Sequence, residues 1–237
     1  MIAAVNWATA RPGAPCCAPL MDIQPPSRRE LNECCARLFE AQYGVLQRMQ
    51  ALECGLSDDG VASRLGSGLW ETLIPGVVRL AGSQRSWLQN LKAAQLWAGP
   101  GAAVSHRAAA ALWKLDGNPQ GIVELTVPHK STSPATWILL HTSTRLCPRD
   151  ITEHRGIAVT NMARTLLDLG AVQRPWRVQS ALDHARRIDL VSDQFLLGEL
   201  RRLGGRGCRG IGVIRPMLAE LENGSCPPGS VLERLIL

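Results

Sequence analysis

The stretch that most constrains this chain is Ser105-His106-Arg107-Ala108-Ala109-Ala110-Ala111-Leu112-Trp113-Lys114-Leu115. Pro100-Gly101 break whatever precedes it, Ser105 is placed to cap free N–H groups, and Ala108, Leu112 and Leu115 share one helical face. Four consecutive alanines favour helix and carry almost no side-chain bulk. Such a helix can lie close against another backbone, which predicts packing on a sheet rather than exposure to solvent. The segments after it are expected to supply that sheet.

Before this helix the pattern is that of a small helical unit. Ser27-Arg28-Arg29-Glu30 is an S-x-x-E capping box, and Leu31, Cys34, Cys35, Leu38 and Phe39 follow the spacing of a buried helix face. Gln42-Tyr43-Gly44 end that helix. A second is expected over about Gln47 to Glu53, stopped by Gly55. Ser57 caps a third, with Asp58 and Asp59 suiting its dipole and a staple between Leu56 and Val61. Two strand-like runs, Leu69–Leu73 and Val77–Leu80, then flank a turn at Pro75-Gly76. Three helices and a hairpin are the layout of a winged helix-turn-helix, whose third helix enters the major groove. Its charge speaks less clearly. From Leu31 to Lys92 six basic residues meet six acidic ones, so the unit is neutral. The same shape also serves in protein interaction.

Downstream, Ser86 opens a helix carrying Trp87, Leu88, Leu91 and Leu96 towards Gly99. Ile122–Val127, Trp137–His141 and Ile157–Thr160 are strand candidates. In the first, Val123, Leu125 and Val127 alternate with Glu124 and Thr126, the sign of a half-buried strand. Thr160-Asn161 cap a helix over Met162–Leu169 in which Arg164 and Asp168 stand four apart, and the expected role of that pair is structural. Trp97, Trp113 and Trp137 are expected to fill gaps between sheet and helices. The last third is helical over about Val178–Arg187, Asp193–Leu203 and Ile211–Leu221. Gly205, Gly207 and Gly210 spell G-x-G-x-x-G, but helix rather than strand precedes them, so a basic loop is the better reading than a nucleotide site.

At 237 residues the chain can hold one large domain or two small ones, and its net charge of +6 comes mainly from arginine. From Ala171 to Leu237 ten arginines face seven acids, with Arg201, Arg202, Arg206 and Arg209 close together. No apolar run approaches the length of a membrane span. Eight cysteines lack any C-x-x-C; Cys34 and Cys35 read as free residues of a helix core, which implies a reduced, cytoplasmic protein without zinc. His106, His129, His141, His154 and His184 are scattered without metal spacing, and His106 is expected in a core or capping role. No catalytic residue, metal or cofactor is expected, and no enzymatic activity.

Several motifs fall in a recurring order: Gly68-Leu69-Trp70 to Pro75-Gly76-Val77-Val78, then Ser105 to Trp113, Thr160 to Leu169, and Ala181-Leu182-Asp183-His184-Ala185. In these the chain, from about Leu31 onward, resembles actinobacterial proteins related to the abortive-infection AbiEi antitoxins. The resemblance implies a winged helix that binds promoter double-stranded DNA, a middle α/β domain carrying antitoxicity, and autorepression of an operon with a nucleotidyltransferase-type toxin. The third helix is more acidic here than the family's DNA reader. The family often adds a very-short-patch-repair-like endonuclease domain, and Ser230-Val231-Leu232-Glu233-Arg234 resembles its opening helix. No later acid or lysine joins Glu233, so this part is expected to be truncated and inert.

The expectation is an α+β protein: a disordered leader (1–26), a winged helix-turn-helix (27–84), an α/β domain with a small sheet packed with helices (85–172), a helical segment (173–224) and the truncated start of an endonuclease-like domain (225–237). Its function is that of a DNA-binding regulator of antitoxin type. The expected DNA contacts are Arg48, Ser57, Ser63, Arg64 and wing Arg79, with Arg201, Arg202, Arg206 and Arg209 adding electrostatic attraction. An inactive nuclease remnant and a protein-interaction module are the alternatives.

Overall fold

The computed structural model describes residues 27–204 and 210–222. The expected leader, Gly205, Arg206, Gly207, Arg209 and the 225–237 segment with Glu233 lie outside the described residues. Within them the chain is a mixed α+β protein with a three-stranded and a five-stranded sheet.

The N-terminal unit runs α1 (Arg28–Ala41), β1 (Val45–Gln47), α2 (Arg48–Glu53), α3 (Asp58–Gly66), β2 (Trp70–Ile74) and β3 (Val77–Leu80). The capping box forms: Ser27 Oγ accepts from Glu30 N, and the Glu30 carboxylate accepts from Ser27 N. Ser57 Oγ likewise accepts from Gly60 N at the start of α3. The strands pair antiparallel in the order β1-β3-β2, so β1, which the sequence pattern does not announce, completes a three-stranded sheet. Phe39, Leu46, Val61, Trp70 and Val78 form its core, with Phe39 and Trp70 edge to face at 5.3 Å. Against the expectation of two free cysteines on α1, Cys34 is not free. Helix α1 and the end of α2 bring Cys34 and Cys54 to a Cα separation of 5.8 Å, and the two form a disulfide. Cys35 remains a free, buried thiol, raised in pKa by burial. Cysteine usage therefore does not mark a reduced protein.

Helix α4 (Trp87–Ala98), capped by Ser86, follows. Then come β4 (Ala103–Val104), α5 (His106–Leu112), β5 (Val123–Val127), β6 (Ile138–Thr142), a 3₁₀ turn at Pro148–Asp150, β7 (Ile151–His154) and β8 (Ile157–Thr160). The second sheet has the order β6-β5-β4-β8-β7, with β5/β6 and β4/β8 parallel and the other pairs antiparallel. Helices α6 (Met162–Leu169), α7 (Pro175–Arg187), α8 (Asp193–Leu203) and α9 (Ile211–Glu222) close the fold. Among the described residues no helix is long and apolar enough to cross a membrane.

The alanine helix α5 is buried from His106 to Leu112 except at Arg107. Ala108, Ala109 and Leu112 pack with β5 and β8, while Ala110 and Leu115 join the cluster of α6 and α7. Small side chains let one helix serve two cores at close range. Two local expectations fail. Ser105 caps α5 by position only, because its hydroxyl accepts from Thr126 Oγ1 at 2.8 Å rather than from the helix backbone. Strand β5 is buried throughout, Glu124 and Thr126 included, because Arg107 of α5 binds Glu124 and Ser105 at its start takes the Thr126 hydroxyl.

Helix α4 ties the two sheets together. Leu91, Ala93 and Ala94 share one apolar cluster with Val45, Ile74 and Val77 of the first sheet and Val104, Leu125 and Val159 of the second. Gln89 Nε2 donates to Tyr43 O at 2.8 Å, and Lys92 Nζ to Gly156 O at 2.7 Å.

Candidate functional site

The histidines that look scattered along the chain are partly gathered by the fold. His106 opens α5 with a φ of +52°, a left-handed conformation that a non-glycine residue holds only under outside constraint. That twist lays its ring on His141 of β6, with centroids 3.6 Å and planes 18° apart. His106 Nδ1 lies 2.9 Å from Ser105 Oγ. Burial, with His141 beside it, lowers the His106 pKa to about 3, so the ring is neutral at ordinary pH.

Glu124, next on β5, is fully buried and held by Arg107, whose backbone N–H and guanidinium both donate to it. Burial alone would raise this carboxyl, but the donors from Arg107 and the His141 ring, whose Nε2 lies 4.0 Å from Glu124 Oε1 and beyond hydrogen-bond reach, outweigh it and hold the pKa below the usual range. The donor atoms of His106, Glu124 and His141 lie within 4.8 Å of one another. They do not form a metal centre. An imidazole lone pair lies in its ring plane, so two rings stacked nearly parallel cannot converge on one ion, and Arg107 already occupies the carboxylate.

Beside the stacked rings, α6 contributes Arg164 and Asp168. Arg164 Nε donates to Asp168 Oδ1 at 2.8 Å, and the two side chains are only 6% and 7% exposed. Burial raises Asp168 to a pKa of about 6, with Arg164 opposing the shift. His106, His141, Arg164 and Asp168 line a cavity of about 480 Å³, with Thr142 and Arg145 at the end of β6 and beyond. Behind Arg164 lies an ion network. Asp150, fully buried, accepts from Cys147 N at 3.0 Å and from Arg202, and Arg202 and Arg149 both donate to Glu199.

The expected DNA contacts divide into groups. Arg48 is half exposed and pairs with Asp58 at 2.6 Å; Ser63 is exposed on α3, beside the cap at Ser57. Arg64 turns inward: it donates to Gly60 O and Asn32 Oδ1 and stands over the Trp70 ring at 5.5 Å. Arg79 is bound to Glu71, its side chain 11% exposed. Arg202 is committed to Asp150 and Glu199, and Arg201 is exposed. The fold therefore does not bring the N-terminal residues and Arg202 to one surface role. The sequence reading missed the cavity, and the Arg164–Asp168 spacing was its one visible signal.

No family model and no curated protein matches the chain. Among solved structures it is similar to the Rv2827c protein of Mycobacterium tuberculosis, at 15% identity and a TM-score of 0.45, over 75% of this chain and 73% of that one.

Proposed function

We propose that the chain is a DNA-binding transcriptional regulator of the antitoxin type that its sequence motifs resemble. The observation that carries this is the element order α1-β1-α2-α3-β2-β3 with the sheet order β1-β3-β2, which leaves α3 and the β2–β3 turn on the outside of the unit. Arg48, Ser57 and Ser63 are the residues best placed to meet a phosphate backbone or base edge. Arg48 would exchange Asp58 for phosphate, a small cost because an exposed ion pair is worth about 0–1 kcal/mol. Arg64 and Arg79 act in this reading by holding α3 and the hairpin in place. On the same resemblance, the regulated operon encodes a nucleotidyltransferase-type toxin.

Gel shifts with the DNA upstream of the protein's own gene, at two salt concentrations and against random duplex, test the reading. Tighter binding to the upstream DNA is expected, with a salt slope that falls by about 0.9 for each phosphate contact removed. Equal affinity for random duplex would refute it.

A further inference from the structure

Among the described residues four buried side-chain atoms lack a hydrogen-bond partner: His141 Nε2, Arg164 Nη1, Asp168 Oδ2 and Gln173 Oε1. Three of the four belong to residues lining the one cavity of about 480 Å³ beside the stacked histidines. Buried polar groups are nearly always satisfied, and the Arg164 charge, though paired with Asp168 and Asp150, leaves one N–H without an acceptor. Arg164 Nη1 lies 3.7 Å from Asp150 Oδ2, outside hydrogen-bond range, although the side chain is only 6% exposed. The concentration of such atoms in one cavity calls for a ligand.

The donors and charges say which kind. Arg164 and Arg145 are both cationic, and Thr142 and Ser143 add hydroxyls. His106 is neutral, and Glu124, nearby, is neutralised by Arg107. Among the described residues Asp168 is then the one anionic side chain lining the cavity, against two arginines. Donors outnumber acceptors, and the balance favours an oxyanion. Asp168 Oδ2 still needs a proton between itself and any anion. A phosphate monoester carries one near neutral pH, whereas a carboxylate or sulfate does not. The volume exceeds what an inorganic ion fills and falls within the range of small-molecule sites, and Leu140, Val172 and Leu203 add apolar wall.

We propose that this cavity binds a small-molecule phosphomonoester, its phosphate held by Arg164, Arg145 and the Nε2–H tautomer of His141, with a shared proton on Asp168. The site lies in the α5–β5–β6–α6 region and stands independently of DNA binding by the N-terminal unit.

Isothermal titration calorimetry of the full chain tests it, with inorganic phosphate, a sugar phosphate and a nucleoside 5′-monophosphate as probes, and acetate and sulfate as controls. At least one organic phosphate is expected to bind more tightly than inorganic phosphate, and both more tightly than the controls. Arg145→Gln, at an exposed position, should retain the fold and weaken phosphate binding about tenfold. Asp168→Asn should keep phosphate binding and let sulfate approach the same affinity, because the amide now donates. Several outcomes overturn the proposal. They are no binding of any phosphate by the folded chain, acetate binding as well as phosphate, no effect of Arg145→Gln, and loss of phosphate binding in a folded Asp168→Asn. The last would mean that Asp168 accepts from a ligand donor and that the ligand is no oxyanion.

Discussion

The N-terminal unit and the region around α6 handle charge in opposite ways. In the first, ion pairs such as Arg48–Asp58 and Arg29–Glu33 lie on the surface, and the interior holds aromatic and aliphatic side chains with one disulfide. In the second, Asp150, Arg164, Asp168 and Glu199 are all buried: Arg164 donates to Asp168, Asp150 accepts from Arg202, and Glu199 accepts from Arg202 and Arg149. A unit that keeps most of its charge outside, Arg64 and Arg79 excepted, can present a plain, adaptable face. A region that buries charge must fix each group, and any atom left unmatched becomes a place for a ligand.

The largest expected effect comes from breaking the buried network. Asp150→Ala removes the carboxylate between Arg202 and Arg164 and should cost about 3–5 kcal/mol, read from urea denaturation. Next comes the staple of the other region. Cys34→Ser opens a loop between cysteines 20 positions apart, and the loss should be about 3 kcal/mol, absent when the parent is measured in reductant.

Acid should separate the regions more subtly. His106 has a folded pKa of about 3 against an ordinary 6.5, so its contribution is present above 6.5 and is lost as the pH falls towards 3. His141, Glu124, Arg164 and Arg107 face it. Asp168 runs the other way: with a folded pKa of about 6 against 3.8, it adds stability as the pH falls through 6. The two oppose each other between about pH 6 and 4. Asp168→Asn removes the second, and the variant's urea midpoint should drop more steeply from pH 7 to pH 4 than the parent's. A parallel profile would break the assignment. The smallest effect is at the surface, where Arg48→Ala should change stability by less than about 1 kcal/mol. A larger loss would erase the contrast between the regions.

How much of this was legible in the chain depended on range. Helix starts were readable because a cap acts over three residues: Ser27, Ser57, Ser86 and Asn161 all accept from the backbone as their positions suggest. β1 and β7 were not, since three or four residues make no pattern and a strand that short is defined by its neighbour. The alternation in Val123–Val127 misled for the same reason, as Glu124 owes its burial to Arg107 on another element. The disulfide was hidden by adjacent cysteines that drew attention to Cys35 rather than Cys54. The cavity needed α5, β6 and α6 assembled together, and only the pair four apart on α6 was local enough to see.

The position of α4 between the two sheets has a consequence for how the molecule comes apart. A helix whose residues complete both hydrophobic interiors cannot be surrendered by one without exposing the other. Residues 27–84 therefore do not melt as a private event: Val45, Ile74 and Val77 lose their cover only when Leu91 and Ala94 leave β4 and β5 as well. The slowest-exchanging amides of both sheets should share a single opening event, so the two sheets and α4 open as one cooperative body.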